Sequence, residues 1–334
     1  MLPLTLPILR ILSDGEFHSG EQLAAHLGVS RASIWNALQD VETLGVHLFK
    51  VRGRGYQLVE PIEWLERDRV AAYLGTRSET IPVYVLDVVE STNALLMQRA
   101  VQGSERVQCV VAEVQTQGRG RRGRAWHSAL GGSLTFSLLW RFNLGASQLS
   151  GLSLAVGVAL ARTLRALGVA NIQLKWPNDL IHGYRKLGGV LIELQGDALG
   201  PSTAVIGVGL NLCLPAQVKH QIDQAVVDLN ALVSEAPSRN ALLGLALRHL
   251  AEVLEQFEAH GFEAMRAEWQ GLHAYQDKPV AIRMPDGAEI PGVVRGVTAE
   301  GALILETQSG ERRFGSGEMS LRPATIPRLK FEDA

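Results

Sequence analysis

Short runs of helical spacing fill the first part of the chain and give way to alternation near residue 46. Leu4 to Leu12 reads as a first helix, ended by the turn Ser13-Asp14-Gly15. Ser19 caps a second, with Gln22 three residues on as in a capping box and Leu23, Ala24 and Leu27 on one side. Gly28 turns the chain, and Ser30 caps a third helix over 32–45, in which Ile34, Trp35, Leu38, Val41 and Leu44 recur at helical spacing. Residues 46–59, VHLFKVRGRGYQLV, then alternate as two strands around a basic tip, Arg52-Gly53-Arg54-Gly55. Helices joined by a glycine turn and followed by a hairpin predict a winged helix-turn-helix over residues 1–62.

The remaining pattern is mixed. EWLERDRVAAYL reads as a linking helix. Strands are predicted at VYVLDVV, RVQCVVAEV, SLTFSLLW, IQLKW, KLGGVLIELQ and TAVIGVGLNL, with a helix after Ser91 and a long one from Gln148. This is an α/β domain with a mixed sheet, assigned to residues 63–272. The stretch from Cys213 to Asn240 breaks the pattern and reads as a mobile loop before two helices, Arg239 to Ala259 and Gly261 to Leu272. The tail, residues 273–325, alternates short strands with Gly and Asp turns and predicts a small β-barrel of SH3 type.

Composition narrows the function classes. The chain has 334 residues, 46% hydrophobic and 20% charged, and a net charge of −2. That is enough for two or three domains with real cores, and no global field draws it to nucleic acid or membranes. Its two cysteines, Cys109 and Cys213, sit in apolar runs, the pattern of reduced thiols in a cytoplasmic protein. The apolar N-terminus lacks a basic lead and a small-residue cleavage site, so no signal segment is expected. The uncharged run from Phe142 to Ala161 is too short in its apolar part to cross a bilayer.

The winged helix carries one candidate site. Ser30, Arg31, Ser33 and Asn36 stand near the start of the third helix for the major groove, with Arg52 and Arg54 on the wing for phosphates. Against this, the unit is nearly neutral, with Arg10, Arg31, Lys50, Arg52 and Arg54 facing Asp14, Glu16, Glu21, Asp40, Glu42 and Glu60. A protein-contact role stays open, and DNA binding calls for a dimer spanning two half-sites.

The α/β domain carries the other. Gly118-Arg119-Gly120-Arg121-Arg122-Gly123-Arg124 concentrates four guanidinium groups among glycines that let backbone N–H groups converge on an anion. No Gly-Lys-Ser/Thr follows, which excludes the phosphate loop of nucleotide hydrolases. Trp126 follows and suggests ordering over a pocket. Lys175-Trp176-Pro177-Asn178-Asp179 ends a strand in a turn whose Asn178 and Asp179 offer oxygens to a hydrated Mg²⁺, and Lys186 opens the next strand as a mobile point charge. Ser91-Thr92-Asn93 suits a helix cap, and Gly207-Val208-Gly209-Leu210-Asn211 allows close approach of a ligand to backbone.

Taken together, Ser91-Thr92-Asn93, Glu113-Val114-Gln115 leading into GRGRRGR and Trp126, KWPND, RKLGGVLIE and GVGLN resemble the biotin protein ligases, specifically the bifunctional bacterial form that is also the biotin operon repressor. The resemblance spans essentially the whole chain. It implies activation of biotin by ATP and Mg²⁺ to biotinyl-5'-AMP, then transfer to a lysine of the biotin carboxyl carrier protein of acetyl-CoA carboxylase. It implies that Ser91, Thr92, Asn93, Gln115, Gly118, Arg119, Gly120, Arg121, Arg122, Trp126, Lys186, Gly188, Gly207, Gly209 and Asn211 hold biotin and the adenylate. Lys186, Asp179, Lys175 and Arg121 are the implied catalytic groups, with Asp179 the metal ligand. Residues 213–235 correspond to an adenylate-covering loop that carries a tryptophan in some members and none here. A homodimer, formed when loaded with biotinyl-AMP, is implied on operator DNA, and no membrane is involved. A biotin-sensing repressor without ligase activity and a lipoate ligase are the alternatives.

Overall fold

The computed structural model describes residues 2–39, 41–104, 107–284, 286–315 and 320–323. Helices α1 (Leu2–Leu12), α2 (Gly20–Leu27) and α3 (Arg31–Ala37) precede a hairpin of β1 (Leu48–Val51) and β2 (Gly55–Leu58). The Ser19 hydroxyl accepts from Gln22 N–H while the Gln22 side chain accepts from Ser19 N–H, completing the capping box. Ser30 likewise accepts from Ser33 N–H. Gly28 takes φ 66°, the left-handed cap that ends α2. The third helix is shorter than its apolar spacing predicts: it ends at Ala37, and Val41–Leu44 form a separate 3-10 turn. Asp40 lies outside the described residues. Ile34, Leu38 and Val41 enter the core with Leu6, Leu9 and Leu23, whereas Trp35 is 55% exposed.

The linker stays extended through Trp64 and Leu65 and becomes helical only at α4 (Arg67–Leu74). Then come β3 (Val83–Val89), α5 (Thr92–Val101), β4 (Gln108–Gln115), β5 (Ser133–Phe142), α6 (Leu152–Ala166), β6 (Gln173–Lys175), β7 (Asp179–His182), β8 (Arg185–Gly196) and β9 (Ser202–Asn211). After β9 follow α7 (Ala216–His220), α8 (Arg239–His260) and α9 (Glu263–Leu272). The seven strands order β3-β4-β5-β9-β8-β7-β6, parallel only between β3 and β4. Alternation sorts the two faces. Val111, Phe136 and Leu138 join the main core with α6 and α8, while Val110, Leu139 and Val205 pack with Leu96 of α5.

The stretch after β9 is more ordered than its lack of periodicity predicts. Asp228 is buried, accepts from Leu214 N–H at 3.1 Å and pairs with Lys219 at 2.7 Å. Lys186 N–H donates to Ala225 O, and Val227 N–H to Lys186 O, both at 2.9 Å. The loop is therefore stitched to the strand that carries Lys186.

The C-terminal unit is an antiparallel sheet of β10 (Pro279–Arg283), β11 (Glu289–Val297), β12 (Leu303–Thr307), β13 (Gly310–Phe314) and β14 (Ser320–Pro323), ordered β13-β12-β11-β10-β14. This is the short-stranded β domain expected of the tail, whose residues 324–325 lie outside those described. Both flanking units are packed onto the center. Trp64, Val114 and Leu130 complete the winged-helix core, and Leu130 N–H donates to Leu44 O at 2.9 Å. Trp176 donates its indole N–H to Gly301 O at 3.2 Å. Among the described residues no helix is long and apolar enough to cross a membrane.

Candidate functional site

A cavity of about 430 Å³ opens over β4, β5, β8 and β9. Ser91, Thr92, Asn93, Gln115, Arg119, Gly120, Arg121, Arg122, Trp126, Lys175, Asp179, Lys186, Gly207, Gly209 and Asn211, scattered over 120 positions of sequence, all line it. Gly118 and Gly188 do not. An added Cβ at Gly118 would strike the Trp126 carbonyl, and one at Gly188 would meet Leu210, so these two permit packing beside the cavity.

One end of the cavity is lined by amides and hydroxyls and rich in hydrogen bonds. Ser91 caps α5, accepting from Ala94 N–H, which sets Thr92 and Asn93 at the helix start. Gln115 Oε1 accepts from Thr92 N–H at 2.8 Å. Thr92 and Ser137 hydroxyls lie 2.7 Å apart, Ser137 donates to Asn93 Oδ1 at 2.5 Å, and Asn93 donates to Glu193 at 2.8 Å. Ser137, fully buried on β5, went unnoticed in the sequence because it sits inside an apolar strand. An added Cβ at Gly207 would come within 2.9 Å of Asn93 Cγ, so this strand must be bare beneath the network.

The Gly/Arg segment arches over the cavity, but its glycines divide their work. The left-handed positions are Arg122 (φ 60°) and Gly123 (φ 70°), whereas Gly120 is extended. Arg119 lies 3.5 Å from Glu193, and Arg121 donates to Asn178 Oδ1 at 3.2 Å. Trp126 pairs back through its N–H to Gly118 O at 2.8 Å and lays its indole over Gly209. Its Nε1 is buried with no hydrogen-bond partner among the described residues. Such a donor costs free energy until a ligand accepts from it.

The other end is charged. Lys186 Nζ lies 2.7 Å from Asp179 Oδ1 and 5.9 Å from the Trp126 ring centroid. Burial holds the Lys175 ammonium below its ordinary pKa, against the raising pull of Asp179. Burial likewise lowers Arg121, with Asp179 again opposing. Arg322 of β14 also lines this end, with its Nε buried and unpartnered among the described residues. No motif announced it, because it arrives from the C-terminal unit. Asn211 donates to Lys186 O at 3.3 Å and Val227 O at 3.2 Å, so it fixes the lysine strand and the 213–235 loop together. That loop contributes Ile222 and Val226 to the lining.

Mg²⁺ fits this end only as a partner of bound phosphates. Asp179 and Asp223 are the lining carboxylates, and no cluster of three or more His, Cys, Asp or Glu exists among the described residues. A site with one or two carboxylates and open positions suits a largely hydrated Mg²⁺ that takes substrate phosphate as ligand.

The proposed DNA-facing residues form a separate surface. Arg31, Asn36, Arg52 and Arg54 are exposed, and Ser30 and Ser33 hydroxyls are 2.9 Å apart at the start of α3. Arg54 stacks on Phe17, 4.0 Å from its ring centroid.

Sequence and structure comparisons agree with this geometry. The biotin/lipoate A/B protein ligase family matches residues 85–211, an HTH domain matches 5–57, and the biotin protein ligase C-terminal domain matches 277–322. The bifunctional ligase/repressor BirA of Salmonella typhimurium is 40% identical over 97% of this chain and 98% of its own. That of Escherichia coli is 38% identical over 96% and 97%. The biotin protein ligase of Aquifex aeolicus, solved with biotin and ATP, aligns with a TM-score of 0.62 at 28% identity, covering 72% of this chain and 99% of that one. This chain belongs to the biotin protein ligase family, in the branch that carries an N-terminal helix-turn-helix domain.

Proposed function

We propose that this protein is an ATP- and Mg²⁺-dependent biotin–protein ligase that also acts as a biotinyl-AMP-dependent repressor of biotin synthesis genes. The observation that carries the ligase half is the polarity of one cavity, with amides and hydroxyls at one end and Lys186, Asp179 and arginines at the other. Biotin has the same polarity: a neutral ureido ring that both donates and accepts, and a carboxylate at the end of an apolar chain. Lipoate's dithiolane offers no hydrogen bonds comparable to those a ureido ring exchanges with the polar end built by Thr92, Asn93 and Gln115. The lipoate alternative is disfavored on that ground, and a repressor without ligase chemistry on the presence of the charged end.

The first step joins two anions. A biotin carboxylate oxygen attacks the α-phosphorus of ATP, and the bond from that phosphorus to the bridging oxygen breaks to release diphosphate. Lys186, Lys175 and Arg121 neutralise charge that grows on the phosphoryl oxygens, inside a site already partly closed to water. Arg322 extends this field toward the leaving diphosphate. Mg²⁺, held by Asp179 and phosphate oxygens, would add charge neutralisation there. In the second step a carrier lysine amine attacks the carbonyl carbon, the bond to AMP breaks, and the amine loses a proton. Arg119, Gly120, Arg121 and Arg122 cover the mixed anhydride meanwhile, with the 213–235 loop on the adenylate side.

The division of labour assigns DNA contact to residues 1–62, catalysis to 63–272 and closure of the charged end to 273–325. The partners are the carboxyl carrier protein of acetyl-CoA carboxylase, operator DNA and a second copy of the loaded chain, all in the cytoplasm. The test of the first step is biotin-dependent exchange of labelled diphosphate into ATP. Exchange with biotin and none with lipoate is expected, and the reverse would overturn the substrate assignment. For the repressor half, gel shifts with and without biotin and ATP should show retention of DNA only in the loaded state.

A further inference from the structure

Of the six tryptophans, five are buried or half-buried, and Trp35 stands 55% exposed in the middle of α3. Its neighbours explain the position. Ile34, Ala37 and Leu38 take the buried side of α3, and Thr5 Oγ1 donates to Ala37 O at 2.9 Å, fixing how the helix is rotated against α1. Trp35 is one helical turn beyond Arg31, so the two share a stripe on the open side. The start of that stripe lies beside α2, where Arg31 donates to Glu21 at 3.3 Å; Gly20 sits between Arg31 and the wing, a Cβ there lying 3.5 Å from Arg31 Cγ and 3.8 Å from Cε2 of Tyr56 in β2. The adjoining hairpin exposes Lys50, Arg52 and Arg54. A rigid apolar plate thus rises from the second helix of a helix-turn-helix, beside a basic hairpin.

We propose that Trp35 is a specificity-determining residue for DNA, reading the 5-methyl group of a thymine in the major groove. The inference rests on the repressor reading above and adds a residue and a base to it. The surrounding charge selects the occupant: Arg52 and Arg54 of the wing suit phosphates flanking a groove, and the helix face that carries Arg31 and Trp35 is the one a helix-turn-helix inserts. Within that groove thymine alone presents a methyl group, and apolar contact is the means of reading it. Gln39 donates to Trp35 O at 3.1 Å and so steadies the backbone under the indole.

The experiment selects binding sites from a random duplex library with full-length protein in biotin, ATP and Mg²⁺, then replaces each selected thymine by deoxyuridine, which removes only the methyl group. Wild-type protein is expected to lose about fourfold in affinity per half-site at one position, the worth of one buried methyl group. Trp35→Ala is expected to bind the selected site at least tenfold more weakly, to show no further loss on that deoxyuridine replacement, and to keep full biotin-dependent diphosphate exchange. The proposal is overturned if wild-type binding ignores deoxyuridine at every position, or if Trp35→Ala retains the same deoxyuridine penalty. It is also overturned if Trp35→Ala changes only the sedimentation of the loaded dimer, which would make the indole a contact between copies. Failure of the library to yield any enriched sequence would sink the repressor reading itself.

Discussion

Replacing Gly209 with alanine puts a methyl group under the Trp126 indole, within 2.9 Å of Cη2 and closer still to Cε2 and Cζ2. Gly209 does not occupy the left-handed region, so alanine incurs no backbone strain there. The whole effect comes from overlap. Carbon atoms pack best at about 3.5–4.0 Å, so the indole must shift by roughly 1 Å, and Trp126 borders the cavity, which gives it room to move. A displacement of about 1 Å in a group that lines a reacting center can cost about 100-fold. We therefore expect kcat/KM for biotin in diphosphate exchange to fall by about 10- to 100-fold. Circular dichroism and the thermal midpoint should change little, because overpacking of about 1–3 kcal/mol is partly offset by the gain of about 0.5–1 kcal/mol on removing a strand glycine. Gly271→Ala, where an added Cβ meets nothing within 4 Å, serves as the harmless control. In a Trp126→Leu background the Gly209→Ala penalty should shrink below about threefold, since the overlap partner is gone. A Gly209→Ala enzyme with unchanged kcat/KM would refute the assignment of the indole to the biotin site.

Three further outcomes follow. Lys186→Met should cut adenylate formation by about 100- to 1,000-fold, as loss of a preorganised charge does, while leaving the fold intact; exchange kinetics check this. Arg322→Ala should raise KM for ATP and leave KM for biotin unchanged in initial-rate assays, since its guanidinium lines the cavity and acts on Lys175 at the charged end. His273, stacked on Trp269 with ring centroids 4.5 Å apart, is held by burial at a pKa of about 3 instead of about 6.5. Its folded pKa is depressed, so only the unfolded chain takes up the proton between these values and stability falls as pH drops below 6.5. Between pH 7 and 5 this amounts to about 2 kcal/mol, which urea titrations of His273→Phe should show to be missing.

Much of this was legible in the sequence where local rules and the tertiary structure agree. The capping box at Ser19, the hairpin about Arg52 to Gly55, and the strands carrying Val111, Phe136 and Val208 follow from spacing alone. Trp35 did not, because it lies about 100° round the helix from Ile34, at the edge of the apolar stripe, and spacing alone does not say whether that edge is covered; Ile34 and Leu38 are buried and Trp35 is exposed. β7 hid behind the KWPND turn, being four residues long, and its buried Leu180 and Ile181 look like part of a loop. The 213–235 loop is ordered by single contacts of Asp228 and Asn211, which leave no periodic trace. Ser137 supports the cavity from beneath, through Thr92 and Asn93, and Arg322 lines it from the C-terminal unit; both are far in sequence from the residues they join.

Everything assigned to the cavity converges on transfer of biotin to a carrier lysine. Incubating the protein with ATP, Mg²⁺, biotin and an apo carboxyl carrier protein, and weighing the carrier, tests it most directly. One biotinyl adduct per carrier is expected, absent without ATP and absent when the acceptor lysine is replaced. A carrier of unchanged mass, with the enzyme folded and ATP present, would contradict it.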